Sequence, residues 1–366
     1  MDINILLSFS GNGGVEKMAV NLMQGFLDLN LQVNLYRIKT KGRFVKNIPT
    51  DVKIIQLPFK QTFLNIPYMI KIFKKHKIDS LLVMKERAGI MAIIAKLISG
   101  THTKIFIRFG THIRRSLLEK NKSKSYIALR LSLLKKFLPY SKGIIGVSKG
   151  VIEDIVSFCP DIQNKCYVIK NPTIVPEIFE LSKKEIDHKW LSSHANRPVI
   201  IGVGRLTYQK DFETLIKAFF YVNKKLDSRL LIMGQGELKK QLEELSINLG
   251  IREKIDFLGF KKNPYPYLKK ADLFVLSSRW EGSPNALVEA LALGTPVVST
   301  DCESGPREIL KNGELGPLVP IGNPVEMSKK MLKVLQNPPD KDKLIEGVKE
   351  FHYLTSAKNY LKLMQG

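Results

Sequence analysis

Cysteine is scarce in this chain. The three residues, Cys159, Cys166 and Cys302, include no C-x-x-C pair. Their spacing supports neither a disulfide framework nor a zinc site, and it fits a reducing, cytoplasmic setting. Long apolar runs are missing too. The longest, "AGIMAIIAKLI", is about half of the roughly 20 residues that a membrane span needs. The opening "MDINILLSFSGNGG" has no basic leader and reads as a first strand rather than a signal peptide. No short repeat or low-complexity tract occurs, and the G-x-G-x-x-G fingerprint of dinucleotide folds is absent.

Acidic charge is sparse in one half only. Residues 1–150 hold 27 Lys and Arg against 7 Asp and Glu, whereas residues 151–366 hold 31 against 27. A uniform compositional bias would load both halves, so the net charge of +24 points to an anionic partner for the first half. Nucleic acid and anionic lipid headgroups are the two candidates. Residues 63–77 and 111–143 interleave basic side chains with Leu, Ile, Phe and Tyr, a pattern suited to an anionic membrane surface. No nucleic-acid recognition motif accompanies them. A peripheral membrane contact with no nucleic-acid partner is expected; a basic nucleic-acid-binding protein is the alternative.

Strand-like and helix-like runs alternate from end to end. "INILLSF", "QVNLYRI", "DSLLVMK", "KIFIRFG" and "GIIGVSK" are too continuously apolar for one-sided strands and suit a buried parallel sheet. The rhythm breaks in the proline-rich, charged segment 171–198, read here as a connector. It then restarts with "PVIIGVGRL", "RLLIMGQG", "KIDFLGF", "DLFVLSS" and "TPVVST". Two doubly wound α/β domains result. The first spans 1–180, with a C-terminal helix at 350–366 packing back on it, and the second spans 181–349. Ligands of such folds bind at the carboxyl ends of the strands.

Three motifs lie at such ends. In "FSGNGGVEKMAVNL", Gly13 and Gly14 let backbone approach a ligand, and the helix start after them favours an anion. In "GVGRLTYQKDFETLI", Arg205 and Lys210 stand five residues apart across a loop and can grip a diphosphate from two sides. In "SRWEGSPNALVEALALG", Ser283 is the expected N-cap and Pro284 the first helical residue. The amides of Asn285, Ala286 and Leu287 would then face a phosphate. Glu289, in the middle of this apolar helix, lies one turn beyond Asn285 on the same face. A buried carboxylate there needs donors, and ribose hydroxyls would supply them.

These motifs resemble the retaining nucleotide-sugar glycosyltransferases of family 4. Glu281 and Glu289 form the family's E-x7-E pattern, "GRLTYQKDFETLI" is similar to its diphosphate loop and "GGVE" to its N-terminal glycine loop. "EALALGTPVVSTDCESGPREIL" matches the family's habitual sequence after the second glutamate, as in members that build bacterial surface polysaccharides. The resemblance implies a GT-B architecture, two Rossmann-like domains facing each other across a cleft. It implies a donor, a UDP-hexose or UDP-N-acetylhexosamine, on the second domain, and a lipid-linked, lipopolysaccharide or capsule glycan acceptor on the first.

Arg205 and Lys210 would bind the diphosphate and Glu289 the ribose. Glu281, Gly282, Ser283, Asn285, Ala286 and Leu287 would hold the sugar and distal phosphate. Gly13 and Gly14 would approach the phosphate from the first domain. Gly110 stands where many members carry a histidine, and His112 and Glu16 are the candidate acceptor or sugar contacts. The resemblance gives no cofactor beyond the substrate itself.

The only D-x-D, Asp340-Lys341-Asp342, lies in a charged connector, so metal-independent transfer is expected. Catalysis would then rest on Glu281, Arg205 and Lys210, by a front-face route with retention, at the inner face of the cell membrane. A nucleotide-sugar epimerase of the same architecture is the rival within this fold. An α-glucan phosphorylase would need a pyridoxal-binding lysine context that the chain does not offer.

Overall fold

The computed structural model describes residues 2–11, 13–119, 123–191 and 197–366, apart from the side chains of Ser10 and Glu119. Residues 120–122 of the basic segment and 192–196 of the expected connector lie outside the described residues. The chain forms two compact units, residues 1–173 with 351–366 and residues 174–350.

Unit 1 is built on a parallel sheet of β1 (Asp2–Ser10), β2 (Gln32–Lys41), β3 (Lys53–Gln56), β4 (Ser80–Val83), β5 (Lys104–Phe109), β6 (Gly143–Gly146) and β7 (Cys166–Val168). Their order is β3-β2-β1-β4-β5-β6-β7. β4 and β6 are buried at every position, as strands covered on both faces must be. The helix Gly14–Asp28 covers one face with Met18, Leu22, Met23 and Phe26 at helical spacing.

Unit 2 carries β8 (Val199–Val203), β9 (Arg229–Met233), β10 (Ile255–Gly259), β11 (Leu273–Leu276), β12 (Val297–Thr300) and β13 (Leu318–Val319). They are ordered β10-β9-β8-β11-β12-β13 and are again parallel. In each unit the order turns back once, between β1 and β4 and between β8 and β11. Doubly wound sheets bind ligands at this reversal, where loops diverge from the strand ends.

The C-terminal helix Tyr353–Gln365 packs on the helix Gly14–Asp28 of unit 1. Gly25 permits this closeness: a Cβ there would lie 2.9 Å from the Ala357 Cβ and 3.1 Å from the Tyr353 carbonyl. Tyr353 donates its hydroxyl to Asp28 Oδ2 at 2.6 Å.

The segment 171–198 is not simply a connector. Pro176–Ser182 form a helix packed on the helix Tyr265–Lys270, and Asn263 Nδ2 donates to the Leu181 carbonyl at 2.9 Å. His188 lies 3.1 Å from Asp256 Oδ2 and edge-on to Trp190. Of the described residues in this segment, 171–173 belong to unit 1 and the rest belong to unit 2. No helix among the described residues is long and apolar enough to cross a membrane.

Candidate active site

The reversal point of unit 2 brings the loops after β8 and β11 together. Gly234, at φ +153, lets the β9 loop lie on the β8 loop; any Cβ there would meet the Gly204 carbonyl at 1.7 Å. Asp211, in left-handed backbone at φ 47, caps the helix Phe212–Asn223 by accepting from the Thr214 amide at 3.4 Å, and its other oxygen accepts from the Thr214 hydroxyl at 2.8 Å. The same carboxylate pairs with Arg279 at 3.1 Å, which ties the two loops. Gln209 reinforces that tie: its Nε2 donates to the Trp280 carbonyl at 2.9 Å, and its own carbonyl accepts from the Arg279 amide at 2.8 Å.

This frame holds an ion pair. Lys210 Nζ lies 2.5 Å from Glu281 Oε1, and the Ser278 hydroxyl donates to the same oxygen at 2.6 Å. Ser304 donates to the Glu281 backbone carbonyl at 2.8 Å. Glu281 is buried, so its charge needs these partners. Its negative field reaches Cys302: burial first, then the Glu281 charge, raise that thiol well above its usual range. Arg205 stands exposed at the edge, loosely hydrogen-bonded to Gln209 at 3.5 Å. The arrangement leaves an exposed cation beside one held in an ion pair.

The helix that follows spans Asn285–Ala292 and starts one residue later than expected. Pro284 is its N-cap, with no side-chain capping hydrogen bond, and Ser283 stands outside the helix. Proline offers no side-chain acceptor, so the first-turn amides turn to backbone: Leu287 donates to the Pro284 carbonyl at 3.1 Å. The expected cradle of three amides is therefore reduced at Leu287. Gly305, at φ +84, passes so close that a Cβ would meet Pro284 Cδ at 2.7 Å and the Gly282 carbonyl at 3.0 Å, fixing the approach to the helix. Glu289 is buried at 5% exposure.

Unit 1 supplies the remaining candidates at its own strand ends. Gly13 is the N-cap of the helix Gly14–Asp28, and Gly14 is its first residue. Glu16 folds back on this loop, with Oε2 3.2 Å from where a Gly13 Cβ would sit, and pairs with Lys85 at 2.7 Å. Lys85 also donates to the Ser8 carbonyl at 2.7 Å, so the pair braces β1 to the loop after β4. His112 is buried, with Nδ1 4.0 Å from Asp154 Oδ1. Asp154 accepts from the Ile113 amide at 2.7 Å and Arg114 Nε at 3.0 Å, capping the helix Ile113–Glu119.

Gln209, Ser278 and Ser304 lie inside the motifs above, but nothing in the local pattern marks them as partners in this frame, and Lys85 lies outside those three motifs. Arg108 did leave a signal, a cation inside the apolar strand "KIFIRF". It is buried, donates to Asn171 at 2.5 Å, and lies beneath Gly110, whose Cβ would be 3.2 Å from its Nη1. Asp340, of the lone D-x-D, caps the helix Lys341–Gly347 by accepting from the Lys343 amide at 2.8 Å.

Comparison with known proteins bears on this geometry. Residues 12–174 match the family model described as Glycosyltransferase Family 4, and residues 183–351 match that of Glycosyl transferases group 1. The chain belongs to these glycosyltransferases. It is 34% identical over 248 residues to an uncharacterized glycosyltransferase of Methanocaldococcus jannaschii, a match covering 66% of this chain and 60% of that protein. It is 29% identical, over 100% of its length and 99% of the relative's, to an N-acetylgalactosamine-N,N'-diacetylbacillosaminyl-diphospho-undecaprenol 4-alpha-N-acetylgalactosaminyltransferase of Campylobacter jejuni. Among solved structures, Anabaena HepE in complex with UDP superposes with a TM-score of 0.77 at 18% identity, covering 100% of each chain. The two parallel-sheet units are thus those of the GT-B fold.

Proposed function

We propose that this glycosyltransferase moves a hexose or N-acetylhexosamine from a UDP-sugar to a lipid-linked or lipopolysaccharide-type glycan, with retention of configuration and without a metal ion. One observation carries the reading. The Lys210–Glu281 pair, the start of the helix Asn285–Ala292 and the buried Glu289 follow one another along the loops at the reversal point of unit 2. They suit a nucleotide-sugar: Lys210 on the diphosphate, Glu281 and the helix start on the sugar and distal phosphate, and Glu289 on the ribose. The names of the relatives support the same direction: the C. jejuni enzyme acts on a diphospho-undecaprenol glycan, and Anabaena HepE holds UDP.

The chemistry follows from charge. As the bond from the anomeric carbon to the distal phosphate oxygen breaks, negative charge gathers on the diphosphate. Lys210 and Arg205 meet that charge in place. Glu281 keeps the lysine head fixed, so little reorganisation is needed at the moment of reaction. The acceptor hydroxyl attacks from the face the diphosphate leaves, and its proton passes to the departing phosphate oxygen. In this scheme Glu289 anchors the ribose and takes no part in bond breaking. The acceptor is assigned to unit 1, where cationic charge concentrates, with the chain resting peripherally on the anionic inner face of the cell membrane.

A panel of nucleotide-sugars incubated with a membrane lipid extract tests the donor and the need for an acceptor. UDP release confined to one or two UDP-sugars, and dependent on the extract, is the expected result. Release from GDP- or ADP-sugars alone would contradict it.

A further inference from the structure

Asn65 has no exposed surface, and its side chain serves the backbone around it. Its Oδ1 accepts from the Phe59 amide at 3.1 Å, and its Nδ2 donates to the carbonyls of Phe59 at 2.9 Å and Gln61 at 3.0 Å. This buried staple holds the loop between β3 and the helix Ile66–His76. The loop presents apolar side chains to solvent: Phe59 is 47% exposed, Phe63 42% and Leu64 54%. A loop ordered this firmly, with its apolar residues outward, is preorganised for something that covers them.

A concavity of about 580 Å³ opens beside it, lined by Phe63 and Leu64 and by the cations Lys39, Lys60 and Arg87. Among the described residues none that lines it is acidic. The neighbouring Glu86 is held by Arg130 at 2.6 Å. Lys39 lies near the end of β2, Lys60 follows β3 and Arg87 follows β4, so the concavity sits at the carboxyl edge of the unit 1 sheet. Doubly wound sheets place their ligands at this edge.

We propose that this pocket holds the diphosphate of a lipid-linked acceptor between Lys39, Lys60 and Arg87, with the first carbons of the lipid against Phe63 and Leu64. The inference rests on the acceptor being lipid-linked. Three cations with no acidic residue among the described lining match a diphosphate, Arg87 being steadied by its 2.8 Å hydrogen bond to the Tyr126 hydroxyl, and the apolar wall beside them matches an alkyl chain rather than a second phosphate. The apolar face of the helix Ile66–His76 plays no part in it, because Met69, Ile72 and Phe73 are spent in the core.

The test uses the full chain, farnesyl diphosphate as the probe, and saturating UDP to occupy the nucleotide site. Farnesyl diphosphate should bind in the presence of UDP, and inorganic diphosphate and farnesol should each bind at least about tenfold more weakly. Lys60→Glu with Arg87→Glu should lower affinity by about tenfold or more, since each loses a charge-assisted contact. Phe63→Ser with Leu64→Ser should weaken farnesyl diphosphate without affecting inorganic diphosphate. All these side chains are exposed, and UDP titration of the same variants should match the parent. Displacement of farnesyl diphosphate by UDP, or equal binding by parent and variants, would overturn the assignment. Failure of UDP to bind the parent would instead refute the donor reading.

Discussion

Glu289 is the side chain on which the donor assignment turns. It is a carboxylate 5% exposed in an apolar helix, and ribose hydroxyls are donors proposed to engage it. Glu289→Ala should weaken UDP binding by about 10- to 100-fold in calorimetry, the worth of charge-assisted hydrogen bonds. Unchanged affinity would make it a structural residue. Arg205→Ala and Lys210→Ala should each lower kcat by about 10²-fold, because charge on the diphosphate grows in the transition state. Lys210→Ala also strips Glu281 of its 2.5 Å partner. The paired variant Lys210→Met with Glu281→Gln should therefore recover stability in thermal melts without recovering turnover. An effect confined to KM would make either cation a ground-state anchor. At this scale the sequence was legible where chemistry was incongruous, as with a glutamate among alanines and leucines. It was silent on the Lys210–Glu281 contact itself, because the partners stand 71 positions apart and only the closing of β8 beside β11 joins them.

Among the elements, the C-terminal helix offers the sharpest test. Its docking depends on Gly25, which admits Ala357 and the Tyr353 carbonyl, and on the Tyr353–Asp28 hydrogen bond. Gly25→Val should detach the helix and lower the melting temperature, and helix protection in hydrogen exchange should fall with it. Burial, then the Asp28 hydrogen bond and charge, push the Tyr353 phenol from 10.0 up to about 12. The folded state thus binds this proton more tightly than the unfolded one. Its stabilisation is complete below pH 10 and is lost as pH rises through 12. Tyr353→Phe should remove that portion of the alkaline titration and cost about 1 kcal/mol at neutral pH. The strands were readable from apolar runs alone, because parallel strands are covered on both faces. Element boundaries were less so. The helix at Asn285 starts after Pro284 rather than at it, and the proline-rich segment 171–198 contains a packed helix, since local composition cannot reveal which neighbour will cover it.

For the whole molecule, charge is the feature that sequence reports most directly and places least well. The excess of cations in residues 1–150 is plain in the chain. Their individual duties are not: Arg114 is held by Asp154 and Ser157, and Arg130 by Glu86, whereas Lys124, Lys135 and Lys136 lie exposed along the helix Lys124–Phe137. Reversing those three lysines to glutamate should reduce sedimentation with anionic vesicles by well over tenfold, at roughly 1 kcal/mol per basic residue near the surface. Binding to neutral vesicles and turnover on a solubilised acceptor should change little. Equal binding to both vesicle types would return this charge to a merely solvated surface. If sugar passes from UDP to a lipid-linked glycan, the acceptor itself gains mass. After incubation with a UDP-sugar, the purified glycolipid should gain one hexose or one N-acetylhexosamine for each UDP released, and Glu289→Ala should slow both together. UDP release without any gain in acceptor mass, or conversion of the donor sugar with no acceptor present, would contradict it.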